Sequence, residues 1–517
     1  GILILRHKQP EPDYTVATFS FSKQEKVTTL QGLGYASVSQ SVWSHGDIPI
    51  ILDPLKLSLV QGLEDKGTRV ALGEITTSVR GILANGNEDV SNRKMGPDWL
   101  PFFDGDFFRY AIEEPDKFVL FGDNLREKPS SADVFFGKRL LIRRLVNRRD
   151  RLMCVVAEKP FVVKKDIYVF RGADTDVDLH YLLALLNSQL LSFIYLAKDI
   201  AATKDDFRQI TLAGLRSLPI RRIDFTTPED ERAQLLAEAK ALYNDVILRP
   251  LALEAEGSNA LLGFVEARLA VETEEAELGS ASDVVHDLLA YLAERMMTLH
   301  EQRQTVEQAL DPFKFLSRGV RFVTLTEAFA EALKYGARLS APSERLDVDV
   351  AHHDIDGLRL VSEGDGPVLS GAEGWRLDVQ AKLRDPADGW RSWQYEEDGW
   401  SIAREWVPVY RLPLDEAQGR YYQAVFRVLD EFVHAKSFPG GRTRTTRKKL
   451  QLTRVPAFEA DVDLATLVDL GAELAEVREG IAATDEVIDQ IVYQLYGLTE
   501  EEIALVSCSG VVEGEEG

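Results

Sequence analysis

Apolar positions recur with two different periods along the chain. From residue 1 to about 225, short β-branched or aromatic runs ("YTVATFSF", "DKFVLFGD", "KRLLIRRLV", "RLMCVVAEKPFVVKKDIYVF") are separated by turn residues and predict strands. One helical pattern interrupts them. Over 179–197, Tyr181, Leu182, Leu185, Leu186, Leu190 and Phe193 form one broad apolar stripe. After "LRSLPIRRIDF" the period becomes helical. Thr227 as N-cap, Pro228 at the first helical position, and Glu229 and Asp230 in the first turn predict a helix running to about Leu248. Leu235, Leu236, Leu242, Tyr243 and Val246 mark its buried side. A second long helix, capped by Ser282, runs through "VVHDLLAYLAERMMTLHEQRQTVEQAL". The acidic "ETEEAELGSAS" between the two helices makes a helical spacer or hairpin.

Residues 343–415 change character again, holding Trp375, Trp390, Trp393, Trp400 and Trp406 among turn-forming dipeptides, which predicts a small β-rich insertion. Tryptophans at strand spacing are expected in a core rather than stacked on unpaired bases. A helix over 418–436 precedes a basic loop, "PGGRTRTTRKK". The last structured unit, 463–506, is helical, with Gly497 suited to a helix C-terminus and Thr499 with Glu502 forming a capping box. The tail "VVEGEEG" is expected to be disordered.

The fold class is therefore α+β: a mainly β domain followed by long helices and a smaller β-rich and helical C-terminal part. The divisions fall at 1–60, 61–225, 226–342 (helical spacer), 343–460 (Trp-rich β/α insertion), 461–507 (C-terminal helices) and 508–517 (tail).

Charge sharpens this division. The 517 residues carry a formal net charge of -24, with 45% hydrophobic and 28% charged residues. Residues 1–225 hold 31 Lys+Arg against 29 Asp+Glu, so the acidic excess belongs to the remainder. A polyanion responds to the local patch within roughly 10 Å, so an acidic total does not exclude nucleic acid from the first part. Within it, "GKRLLIRRLVNRRDRL" places seven cations between Lys138 and Arg151. Cys154 and Cys508 are too distant in sequence to suggest a disulfide framework, and the chain has no run of eighteen apolar residues. A cytoplasmic location without membrane contact is expected.

Catalytic signatures are mostly missing. There is no phosphate-binding P-loop, HExxH, GxSxG or CxxC, and the GxG at Gly32 and Gly34 in "QGLGYAS" is better read as a tight turn. "HHDID", with His352, His353, Asp354 and Asp356, offers side chains on one strand face, but no third or fourth ligand is evident nearby, so no metal site is expected.

Within 72–222, "LGEITTSVRGILANGNEDV", "WLPFFDGDFFRYAIEEPDKFVLFGDNLR", "FFGKRLLIRR", "YLLALLNSQLLSFIYLA" and "FRQITLAGLRSLPIRRI" follow in order. This block resembles the C-terminal specificity domain of TaqI-like adenine-specific DNA methyltransferases, found also in single-chain type IIG restriction-modification enzymes. The marks are Gly81, Gly86 and Asn87 in a "GI..G.N" turn, Gly105, Arg109 and Tyr110 in "G.D..RY", Asn187 and Ser188 in "LLNS", and Leu218 and Pro219 in the closing "LPI". Asn85 departs from the threonine usual before the second glycine of that turn. Farther on, "DLLAYLAERMMTLHEQRQ" and "IDQIVYQLYGLTEEEI" are similar to the helical segments that follow this domain in larger members.

The resemblance implies duplex DNA as partner and, in the parent enzyme, transfer of a methyl group from S-adenosylmethionine to a flipped adenine, held by an [Asn/Asp]-Pro-Pro-[Tyr/Phe] loop. No Pro-Pro dipeptide or cofactor-binding glycine loop occurs here, so no catalytic residue and no bound cofactor are expected in this chain. The start "GILILRHK" resembles the last strand of the family's catalytic domain, which makes the chain the recognition half of such an enzyme.

On this reading Lys138, Arg139, Arg143, Arg144, Arg148, Arg149 and Arg151 lie on a DNA-facing strand and hairpin, joined by Asn85, Asn87 and Arg109, while Arg442, Arg444, Arg447 and Lys448 are placed to reach the phosphate backbone. The competing arrangement pairs Arg143 and Arg144 with local acids such as Glu158 and Asp166 across a hairpin. The competing function is a non-catalytic scaffold of a prokaryotic defence complex, whose acidic helices from 226 onward bind other subunits.

Overall fold

A computed structural model describes residues 14–18, 36–40, 51, 53–63, 68–145, 151–173, 176–198, 209–248, 257–269, 281–310, 321–330, 354–361, 368–369, 375–385, 391–396, 399–402, 407–437, 454–458 and 463–508. The chain divides into two units, residues 1–300 with 479–517, and residues 301–478.

In the first unit, β1 (Thr15–Thr18) pairs antiparallel with β2 (Ala36–Ser39), and α1 (Pro54–Gly62) starts on the Asp53 carboxylate, which accepts from the Leu55 and Lys56 amides. β3 (Arg69–Ala71) passes through the single turn α2 (Leu72–Ile75) into β4 (Thr76–Arg80). Then come β5 (Val90–Ser91), β6 (Trp99–Phe103), β7 (Lys117–Leu120), β8 (Arg139–Arg143), β9 (Cys154–Ala157), β10 (Val162–Val163) and β11 (Ile167–Gly172). They form two four-stranded sheets, in the orders β10-β6-β7-β5 and β4-β11-β8-β9. The second is antiparallel throughout; in the first, β10 runs parallel to β6.

The sheets share one core, to which Phe102, Phe103 and Val119 come from one and Leu141, Val155 and Val169 from the other. Leu140, Leu141 and Ile142 are buried in succession on β8, which means that both faces of this strand are covered. The cover on the second face is the helical segment. Where the apolar stripe predicts one helix over 179–197, the chain forms α3 (Leu179–Asn187) and α4 (Gln189–Lys198), bent by 68° at Ser188. The Ser188 hydroxyl donates to the Leu185 carbonyl and accepts from the Leu191 amide, ending one helix and starting the next. All nine residues of α3 are buried, so the stripe is part of an all-round apolar surface packed on β8 and β9.

α5 (Leu212–Arg216) leads to β12 (Pro219–Arg221), which returns to pair with β3 and closes this mainly β region. α6 (Glu229–Leu248), α7 (Gly257–Leu269) and α8 (Ser282–Leu310) follow. Thr227 does not cap α6: its amide and hydroxyl both donate to the Asp283 carboxylate, and the Pro228 carbonyl accepts the first helical bond from Arg232.

The second unit contains β13 (Phe322–Thr324), α9 (Leu325–Ala328), β14 (Asp354–Val361), β15 (Val368–Leu369), β16 (Trp375–Asp385), β17 (Arg391–Glu396), β18 (Gly399–Ile402), β19 (Val407–Leu414), α10 (Glu416–Ser437) and β20 (Arg454–Pro456). β14 to β19 make an antiparallel six-stranded sheet, the β-rich insertion expected from the tryptophan region. α11 (Leu464–Tyr496) and α12 (Glu500–Cys508) close the chain, separated by Gly497 at φ 68° and the Thr499–Glu502 capping box. Among the described residues no single helix is long and apolar enough to cross a membrane; only the bent pair α3 and α4 passes that test by composition, and both helices are largely buried.

Candidate nucleic-acid interface

The expected DNA-facing cations separate into an interior set and a rim. Arg139 is fully buried, which corrects its placement on a DNA-facing surface. Its Nη1 donates to the carbonyls of Gly137 (2.9 Å) and Ala157 (3.4 Å), its Nη2 to those of Lys159 (2.9 Å) and Phe161 (3.2 Å), and the guanidinium lies 4.5 Å from the Phe161 ring centre. Burial, with Arg171 nearby, pushes its pKa down to about 10, so it is still charged at neutral pH. It ties the β8 start to the segment after β9.

Arg109 and Arg151 point into the unit rather than outward. The Asn187 carbonyl accepts from Arg109 Nη1 (2.9 Å) and Arg151 Nη2 (2.7 Å). Arg109 makes a bidentate pair with Asp485 of α11, at 3.0 and 2.5 Å, and Arg151 lies 3.8 Å from Asp485 and 3.6 Å from Asp489. Desolvation disfavours the Arg109 charge, but the Asp485 carboxylate outweighs it and raises the guanidinium pKa. Burial raises the Asp485 pKa, yet the two guanidinium groups overcome that and hold it below the usual range. Asp489 goes the other way: burial pushes it up to about 7, with Asp485 opposing the pull of Arg151.

Three of the residues that carry the family resemblance, Arg109, Tyr110 and Asn187, meet at this place. The Asn187 side chain accepts from the Cys154 amide and donates to the Cys154 carbonyl, both at 3.0 Å, pairing with the edge of β9 as a neighbouring strand would. The Tyr110 amide donates to the same carbonyl at 2.9 Å. Tyr110 has φ 64°, a left-handed conformation costly for a bulky residue, and stacks at 5.9 Å on His300. The Pro219 carbonyl accepts from the Tyr496 hydroxyl at 2.8 Å, fastening the "LPI" segment to α11. Gly81 has its own reason: a Cβ there would lie 2.1 Å from the Lys164 carbonyl oxygen, so only glycine admits this crossing of the β10–β11 turn. Arg109, Tyr110, Asn187, Pro219 and Gly81 are therefore scaffold, and Arg109 and Pro219 fasten the β6–β7 connection and β12 to α11. Sequence reasoning missed Asp485, Asp489 and Tyr496; the signal was an i, i+4 pair of acids on the otherwise apolar run "IDQIVYQLY" and its preceding turn.

The rim holds the accessible cations. Lys138 donates to both oxygens of Asp178, at 3.0 and 3.2 Å. Arg144 pairs with Asp166 at 3.2 Å, as the hairpin alternative predicts, whereas Arg143 pairs with Asp106 at 3.0 Å and not with Glu158. Lys164 reaches the other Asp106 oxygen at 3.1 Å. Arg80 donates to the Lys165 carbonyl at 2.9 Å and lies 3.7 Å from Glu127. Asn85 is exposed on a loop organised by Asp89, whose Oδ2 accepts from the Asn85 and Gly86 amides and whose Oδ1 accepts from Asn124. The side chain of Asn87, and Arg148, Arg149, Arg442, Arg444, Arg447 and Lys448, lie outside the described residues, as do His352 and His353. Among the described residues no three His, Cys, Asp or Glu side chains form a metal cluster. Cys154 is a buried free thiol whose pKa burial pushes up.

Over 231 residues, covering 42% of this chain, the sequence is 33% identical to a Methanocaldococcus jannaschii protein described as a type II restriction enzyme and methyltransferase; the match spans 19% of that protein's length. Among solved structures, a chain from a study of complex assembly and conformational transition in a type I restriction-modification system aligns at 15% identity and TM-score 0.24, covering 86% of this chain and 97% of that one. The HsdS subunit from Thermoanaerobacter tengcongensis aligns at 14% identity and TM-score 0.22, covering 86% and 94%. The block from β6 to β12, which contains Arg109, Asn187 and the rim of Arg143 and Lys164, coincides with a family match: residues 100–220 match the TaqI-like C-terminal specificity domain.

Proposed function

We propose that this chain is the DNA target-recognition portion of a site-specific, adenine-specific methyltransferase or restriction-modification protein. Its task is to hold duplex DNA so that a catalytic domain elsewhere in the parent protein methylates a flipped adenine with S-adenosylmethionine. The observation that carries the reading is the specificity-domain match at 100–220, which falls on one contiguous folded block whose motif residues form its internal scaffold. The accessible cations at the end of the β4-β11-β8-β9 sheet, Arg80, Arg143, Arg144, Lys164 and Lys165, outnumber the carboxylates Asp106, Glu127 and Asp166 among them, which suits the approach of a phosphate backbone. Lys138, Asn85, Arg148 and Arg149 remain proposed contacts on the same ground, as do Asn87, Arg442, Arg444, Arg447 and Lys448. Other subunits of a defence complex are proposed partners, and a cytoplasmic location follows from this role.

The test is duplex binding by the full chain across a series of salt concentrations. Affinity should fall linearly in log–log form, with a slope of about -0.9 per neutralised phosphate. Changing Arg143, Arg144, Arg148 and Arg149 together to alanine should abolish binding. A four-alanine variant that binds as tightly as the parent refutes this placement of the interface.

A further inference from the structure

Asp106 occupies an unusual position on the rim. Its Oδ2 is 3.0 Å from Arg143 Nη2 on β8, and its Oδ1 is 3.1 Å from Lys164 Nζ just after β10, so one carboxylate bridges cations delivered by two different sheets. The exposures differ in a telling way: the Asp106 side chain is 53% exposed, those of Arg143 and Lys164 only 18% and 27%. The two cations form the floor, and the anion lies over them toward solvent.

The backbone that carries the floor is held independently of the anion. The Lys164 amide donates to the Phe103 carbonyl at 3.1 Å, and the close crossing at Gly81 fixes the Lys164 carbonyl. The Arg143 amide donates to Met153 at 3.0 Å, and its Nη1 rests against the Phe107 carbonyl at 3.5 Å. Asp106, by contrast, is an exposed residue on the connection between β6 and β7, one position before the buried Phe107. Two pre-positioned cations for one anion leave a positive excess of one charge. A guanidinium fork beside an ammonium is the donor set that binds phosphate oxygens.

We propose that Arg143 and Lys164 form a binding site for one phosphodiester of the DNA backbone, and that Asp106 is its resident stand-in, displaced when the duplex docks. This inference rests on the DNA-recognition reading above. The exchange keeps both cations paired in the free and bound states, so neither is left bare. It also makes non-specific backbone binding compete with an internal carboxylate, which weakens capture of DNA that makes no further contacts.

The experiment is fluorescence anisotropy of the full chain with a labelled duplex over a salt series, using Lys164→Gln, Asp106→Asn and, as a matched pair elsewhere on the rim, Asp166→Asn. Lys164→Gln should weaken binding and reduce the salt slope by about 0.9, the loss of one phosphate contact. Asp106→Asn should bind several-fold more tightly than the parent, and more tightly than Asp166→Asn, because no carboxylate has to leave. If Asp106→Asn weakens binding as Lys164→Gln does, Asp106 supports or contacts DNA and the exchange is refuted. If neither changes binding while the parent still binds, the phosphate lies elsewhere and the recognition reading stands. A parent chain that leaves duplex DNA unbound overturns both.

Discussion

Arg109 and Arg143 are each paired with an aspartate, yet they belong to opposite kinds of ion pair. Arg109 meets Asp485 in a bidentate geometry with both side chains about four-fifths buried, beside Arg151 and Asp489. Arg143 meets Asp106 where the carboxylate is half exposed and shared with Lys164. Removing water makes the first pair strong and unforgiving, because either partner alone would be a buried charge. The second remains under solvent screening, contributes little to stability, and can be exchanged for another anion. Sequence context does not separate them: both arginines follow aromatic or apolar residues, and both are about equally buried, so the difference lies in the partner, a buried carboxylate of α11 in one case and a half-exposed one in the other.

Breaking the interior set should give the largest effects. Asp485→Ala leaves the Arg109 guanidinium without its bidentate partner and should cost about 3–5 kcal/mol in urea unfolding. Arg139→Ala strands the carbonyls of Gly137, Ala157, Lys159 and Phe161 and should cost about 3 kcal/mol; Arg139→Lys keeps the charge but reaches fewer of the four, so it should fall between alanine and the parent. A loss below about 1 kcal/mol in either alanine variant would place these residues with the rim.

A pH series sharpens the same comparison. Folded Asp489 keeps its proton up to about pH 7, whereas an unfolded aspartate releases its proton near pH ~4. Between these values the folded chain binds more protons than the unfolded one. Stability should therefore fall as pH rises through this window, by at most about 1.4 kcal/mol per pH unit, and level off above it. Asp489→Asn should remove that slope. Asp485, with its lowered pKa, has the opposite sign and acts at lower pH: its contribution is present above the unfolded aspartate range and is lost as pH falls through the folded value.

What could be read in advance follows from how local each signal is. The Thr499–Glu502 box and Gly497 were legible because the residues that satisfy the helix end lie within three positions of it. The strand runs and the two long helices were legible from their periods. The bend at Ser188 was not, because apolar residues continue on both sides and only a hydroxyl turned back on Leu185 marks the break. Thr227 has the composition of a cap but finds Asp283, 56 positions away. The Arg109–Asp485 pair spans 376 positions, and the one local sign of Asp485, an acid one turn before Asp489 on an apolar helix, names no partner for it. A row of arginines therefore predicted cations on a β region correctly, but not which of them face inward.

The smallest expected effect is the most diagnostic of the rim. Arg144 and Asp166 are 25% and 39% exposed, with one contact at 3.2 Å and no bidentate geometry. Such a pair gains little Coulomb energy in a high dielectric and loses side-chain freedom when it forms. Arg144→Ala should therefore change unfolding stability by no more than about 0.5 kcal/mol, and added salt should erase even that. Its DNA affinity should fall all the same, since a backbone phosphate reads the cation whether or not the internal pair stabilises the fold. A variant that loses stability on the scale of Asp485→Ala while binding DNA as the parent does would erase the distinction between clamp and contact.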